Sequence, residues 1–258
     1  MRIFSVYLLT VILVFTSCGS NDKKSKEHKQ AKGGIKYGGT FRYNETEYLK
    51  SLYPLGITET VSHHIVTQIY EGLVHFNTKD LTIEPLLADS WTISPDAKTY
   101  TFKLHPGVAF HDDTCFKGGK GRLVTAKDFE YCLNVLCTPD SKNNGFSFFR
   151  GIVKGATEHY EAIQNGKPLS GGLEGITVLN DSTLQIELEK PYADFMERLA
   201  LPFTAVFPKE AVDYYKGNIL YHTVGTGPYM MKALKQDEAV ILVRNDNPPR
   251  APNGWHRV

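Results

Sequence analysis

Between Ile69 and His111 the chain carries helical and strand periods in immediate succession, a pattern that restricts it to a mixed α/β fold. Ile65, Val66, Ile69, Tyr70 and Leu73 recur at helical spacing, which predicts an amphipathic helix over residues 62–73 that Gly72 helps to end. A short strand is expected next. Pro85 then opens a compact turn, and Trp91 behind it is read as a packing anchor, because tryptophan is usually largely buried. Tyr100, Phe102 and Leu104 alternate with Thr101 and Lys103, the period of a strand with one buried face.

The flanking segments extend this pattern. Gly38-Gly39-Thr40-Phe41-Arg42-Tyr43 is expected to be the first strand, followed by a loop over residues 44–50. Thr125 and Asp128 form a Thr-x-x-Asp start signal for a helix over 126–136, so Asp128 is a cap before it is a catalyst. Residues 139–145 read as a loop, and a helix over 156–164 ends at Asn165-Gly166. Strands near 175–179 and 183–189 form a hairpin turning at Asn180-Asp181. Pro191 opens a helix through Leu199, and Pro208 another through Tyr215 with Gly217 just past its end. Strands over 228–234 and 239–244 follow, entered by the turn Gly225-Thr226-Gly227-Pro228. That turn lacks the Gly-Lys-Ser/Thr signature and the following helix of a phosphate loop.

Chemistry is sparse in these residues. Phe110-His111-Asp112-Asp113-Thr114-Cys115 offers one His beside two carboxylates, but no converging third or fourth ligand is recognisable, so a turn is the better reading. His63 and His64, as helix neighbours, point about 100° apart. The cysteines at 18, 115, 132 and 137 contain no Cys-x2-Cys pair. Cys132 falls on an apolar helix face with Phe129, Leu133 and Leu136 and reads as a small buried hydrophobe, while a Cys115–Cys137 bridge stays open. A Gly-x-Ser-x-Gly elbow, a His-Glu-x-x-His pair and an evident acid/base carboxylate pair are all missing, so no catalytic residue, metal ligand or cofactor is assigned. The net charge of +1 gives no reason to expect a nucleic-acid surface.

The blocks Ile69-Tyr70-Glu71-Gly72-Leu73-Val74, Ile83 to Trp91, Arg122 to Tyr131, Gly175 to Leu184 and Val224-Gly225-Thr226-Gly227-Pro228-Tyr229 stand in a definite order. That order resembles the extracellular solute-binding proteins, family 5, of oligopeptide, dipeptide and nickel ABC transporters, over roughly residues 38–246. The resemblance implies a type II periplasmic-binding-protein-like (Venus-flytrap) fold. Its first lobe would occupy residues 38–246, with an inserted subdomain over 54–171, and the second lobe is expected to be absent. The tail 247–258 loses the family pattern and is expected to be an irregular end produced by truncation. The resemblance also implies a peptide ligand, a permease partner, a monomer and a non-enzymatic role, with Glu47, Tyr48 and Leu49 on the ligand face and Thr226 and Tyr229 near the cleft. A nickel- or haem-binding member, a periplasmic hydrolase, a structural lipoprotein and a non-functional product remain alternatives.

At the N-terminus, Arg2 precedes an apolar run from Ile3 to Phe15. Thirteen helical residues rise only about 20 Å, short of the roughly 30 Å hydrocarbon core, so residues 1–17 read as a signal peptide. Thr16-Ser17-Cys18-Gly19 resembles a lipoprotein box with Phe15 in the usual Leu position. The implication is cleavage before Cys18, acylation (including palmitate) of that cysteine, and an extracytoplasmic, periplasmic domain tethered to a bacterial membrane. Residues 18–37, rich in lysine, are the expected flexible tether.

Overall fold

The computed structural model describes residues 29–30, 36–168 and 170–245. The signal peptide, Cys18, most of the tether and the tail over 247–258 lie outside the described residues. The chain divides into two compact units, residues 1–44 and 45–258.

In the first unit, β1 (Lys29–Gln30) pairs antiparallel with β2 (Lys36–Tyr37). Residues 38–43 form no strand, against the expectation. Gly38 and Gly39 take φ of 124° and 86°, outside the extended region of a strand.

The second unit is built on an antiparallel sheet of β5 (Ala88–Ile93), β6 (Thr99–Leu104), β7 (Ile176–Asn180) and β8 (Thr183–Glu187), in the order β5-β6-β8-β7. It straddles residue 171. Alternation decides which face is buried: Tyr100 stands opposite Ile186, and Phe102 opposite Leu184, all four inside the core. Burying a side chain such as Phe102 stabilises by roughly 2–3 kcal/mol. Helix α2 (Ala126–Leu136) packs on β7 and β8, presenting Phe129, Cys132, Leu133 and Leu136 to the core. Its N-terminus is capped as expected, the Thr125 N–H donating to Asp128 Oδ2 at 2.8 Å. Cys132 is buried with its Sγ 3.2 Å from the Phe207 carbonyl, and Cys115, Cys132 and Cys137 are all free thiols. Helix α3 (Ala156–Gln164) ends at Asn165 and Gly166, where φ is 69°.

Three boundaries differ from the sequence reading, each for a tertiary reason. Helix α1 spans Thr60–Ile69 and not 62–73; Tyr70 turns extended, and its buried hydroxyl accepts the Val224 N–H at 3.2 Å. Pro85 opens no compact turn. It ends β4 (Ile83–Pro85), which pairs with β3 (Val74–Phe76), and the N–H groups of Leu86, Leu87 and Ala88 continue onto the carbonyls of Gly72 and Leu73. Trp91 therefore sits within β5, half-buried against the core and 6.4 Å from Phe102. Helix α4 is only Phe195–Leu199, because the Tyr192 hydroxyl is drawn to the Gly151 carbonyl at 2.6 Å and the chain turns helical after Asp194. Helix α5 (Lys209–Tyr215) starts after Pro208 and ends at Tyr215 as expected, and a 3-10 turn over Lys216–Tyr221 follows it at once. Strands β9 (Tyr229–Lys235) and β10 (Ala239–Arg244) close the described chain as an antiparallel hairpin.

Candidate functional site: the turn against helix α1

The last turn of an α-helix leaves carbonyls without intrahelical partners. In α1 one of these, Ile69, receives the N–H of Gly227 at 2.8 Å, so the Gly225–Pro228 turn caps a helix more than 150 residues earlier in the chain. Only glycine allows this approach. A Cβ at Gly225 would stand 2.0 Å from the Ile69 carbonyl oxygen, and one at Gly227 2.7 Å from the Gln68 oxygen.

Side chains fasten the turn from both sides. Thr226 has no exposed surface, and its hydroxyl donates to Glu71 Oε2 at 2.8 Å. The Glu71 carbonyl in turn accepts the Val206 N–H at 2.9 Å. The His111 N–H donates to the Gly225 carbonyl and its Nε2 to the Gly227 carbonyl, both at 2.8 Å. Burial holds the His111 imidazole below its ordinary range and raises the Tyr70 phenol. At the end of β10, the Asn245 N–H donates to the Pro228 carbonyl at 2.8 Å. Beside this knot lies a notch of about 40 Å³, lined among others by Thr67, Glu71, His75, Ala200, Leu201 and Pro228. It has room for ordered water or a small group, not for a peptide.

The expected ligand-face residues occupy the other end of α1. Glu47 and Tyr48 are exposed, Tyr48 by 72%, and Leu49 is half-buried against the core. Their loop is pinned by the Lys50 N–H on Glu59 Oε1 and by His64 Nδ1 on Glu45 Oε1, each at 2.8 Å. Tyr229 is half-buried at the start of β9. Lys50, next to Leu49, is thus bonded at the N-terminal end of α1, while the turn before Tyr229 is bonded at its C-terminal end, through Gly227 and Ile69. Between them the helix exposes His63 and His64, with Thr67 and Gln68 half-buried. Thr226 is fully buried, and its hydroxyl is spent on Glu71.

Sequence reasoning missed Glu71, His111 and Asn245 as parts of this knot. The Phe110–Cys115 segment is a turn, with the Cys115 N–H on Asp113 Oδ1 at 2.8 Å and the Gly121 N–H on Asp112 Oδ1 at 3.0 Å. Among the described residues no group of three or more His, Cys, Asp or Glu side chains could hold a metal ion.

The sequence profile described as bacterial extracellular solute-binding proteins, family 5 (middle region), matches residues 82–253. The chain belongs to this family. The family 5 chain is similar to the glutathione-binding protein GsiB of Pectobacterium atrosepticum, with 32% identity over 74% of this chain and 31% of that protein. It is also similar to heme-binding protein A of Haemophilus influenzae, with 28% identity over 93% of this chain and 43% of the relative. Its fold is that of periplasmic binding proteins. The peptide complex of DppA from Helicobacter pylori superposes with a TM-score of 0.64 at 27% identity, covering 77% of this chain and 38% of DppA. The substrate-binding domain of an oligopeptide ABC transporter from Bacillus anthracis gives a TM-score of 0.68 at 26% identity, covering 79% and 37%. This family 5 chain therefore spans about a third to two fifths of the length of these relatives, and corresponds to part of one lobe of their fold.

Proposed function

We propose that this chain provides one wall of the ligand site in a substrate-binding lipoprotein of a peptide-type ABC importer, which captures extracytoplasmic oligopeptides or dipeptides for a membrane permease. The family match over residues 82–253 carries the reading, and the peptide-bound relative DppA supports the ligand class. Glu47, Tyr48 and Leu49 at one end of α1 and Tyr229 at the other are the proposed contacts. An extended peptide rising about 3.3 Å per residue would run the roughly 15 Å length of the ten-residue α1 with four or five residues. Thr226 supports from beneath, through Glu71. The role is capture and not turnover, and Cys18 carries the lipid.

Two measurements test this. Tetra- and pentapeptides at about 100 times their dissociation constant are expected to raise the melting temperature by roughly 5–10 °C while remaining uncleaved. Cleaved peptide would mean a hydrolase. Haem is the control arm, since one relative is named for it; a Soret shift on titration, with no response to peptides, would replace peptide by haem. For the anchor, the intact mass of protein extracted from source membranes should equal the chain from Cys18 onward plus acyl groups. An unacylated mass would remove the lipoprotein from the proposal.

A further inference from the structure

One imidazole fixes the Gly225–Pro228 turn. His111 is 4% exposed and joined to the turn twice, through its backbone N–H to Gly225 and through its ring Nε2 to Gly227. A carbonyl oxygen only accepts, so Nε2 carries the proton. The other ring nitrogen, Nδ1, is buried and has no hydrogen-bond partner among the described residues. The neutral Nε2–H tautomer satisfies this surrounding, whereas the imidazolium would place a charged N–H at Nδ1 with nothing to receive it.

We propose that His111 is the positioning residue of the turn and holds it only as a neutral imidazole, so that protonation at Nδ1 releases Gly225–Pro228 from the end of helix α1. The charged groups around it are already engaged. On its own loop, Asp112 is bound by Lys120 Nζ at 2.6 Å and the Gly121 N–H, and Asp113 accepts the Tyr215 hydroxyl at 3.0 Å and the Cys115 N–H. From α1 come Tyr70, whose hydroxyl receives Val224, and Glu71, whose Oε2 receives Thr226. Arg122 is held by Asp128 and Glu210, and Asn245, uncharged, shares the Gly227 carbonyl at 3.3 Å. None of these accepts a proton from Nδ1.

The sign follows from burial. Desolvation lowers the folded-state value of His111 below the ordinary 6.5, and the Gly227 carbonyl and Asp112 oppose that only in part. As pH falls, the unfolded or released state takes up the proton first. The stabilisation is complete above about pH 6.5 and is lost progressively below it. His63 and His159 are lowered by burial too, so the readout must be local.

Hydrogen exchange read by mass spectrometry at about pH 7.5 and about pH 5, corrected for intrinsic rates, supplies it. Protection over residues 224–229 is expected to fall roughly tenfold more than protection of β6 and β8. His111→Gln keeps an N–H donor on a side chain that does not titrate, and should show no such pH-dependent loss. Equal loss in the turn and the sheet, or equal behaviour of wild type and variant, would overturn the proposal. If His111→Gln does not fold, NMR of the wild-type imidazole decides. A midpoint below 6.5 that tracks the Gly227 amide supports the device, and a midpoint at or above 6.5 refutes it. No ligand enters either experiment, so the outcome is independent of which solute is bound.

Discussion

Gly225→Ala is expected to lower stability by about 3 kcal/mol, roughly 6–12 °C in melting temperature for a chain of this size. The added methyl would meet the Ile69 carbonyl oxygen at 2.0 Å, and a backbone atom at a helix end has no rotamer by which to withdraw. The turn must then move off α1, taking with it the Gly227–Ile69 and His111–Gly225 bonds and the Thr226–Glu71 contact. Gly217→Ala is the matched control: nothing lies within 4 Å of its Cβ position, and its effect should stay within about 0.5 kcal/mol. Thermal melts of the two variants side by side check this, and equal melting temperatures would show that the close approach does not govern the turn.

Asp128→Ala should cost about 2–3 kcal/mol, read as a lower urea midpoint at unchanged slope. The buried Asp128 carboxylate accepts the Thr125 N–H at 2.8 Å, the Thr125 hydroxyl at 3.1 Å, and Arg122 Nη1 and Nη2 at 2.9 and 2.7 Å. Losing the cap accounts for about 1 kcal/mol. Breaking a fully buried ion pair would cost 3–5 kcal/mol, but Arg122 is 37% exposed and keeps Glu210 at 2.6 Å, so the ion-pair share is about half that or less. Asp128→Asn retains an acceptor for the cap and should recover about 1 kcal/mol. An alanine variant as stable as wild type would show that the Arg122 network does not join the start of α2 to the first turn of α5.

Elements whose signals are local were legible. Helix α2 could be read from Thr125-x-x-Asp128 and the apolar spacing behind it, β6 from strict alternation, and the β7–β8 hairpin from Asn180-Asp181 between two alternating runs. Failures came where a distant partner outweighed the local signal. Gly72 looked like the end of α1, yet the end is set at Ile69 by Gly227 and by the Val224 N–H on Tyr70. Pro191 looked like a helix start, but the Tyr192 hydroxyl is held by Gly151, 41 residues away. At the candidate site, the family resemblance singled out Thr226, whereas its contact to Glu71 spans 155 residues and that of His111 to Gly227 spans 116.

By itself, then, the sequence determined the mixed α/β class, most of the helices and strands and the family, because periodicity, capping and turn chemistry act over a few residues and are written there. Only the tertiary structure decided that Thr226 is a buried strut, that His111 holds a turn instead of ending a loop, and that Lys50 and the Gly225–Pro228 turn are bonded to opposite ends of one helix. Those facts depend on which backbone groups reach each other across the folded chain. A lone histidine or a Gly-Thr-Gly turn carries no local mark of its distant partner.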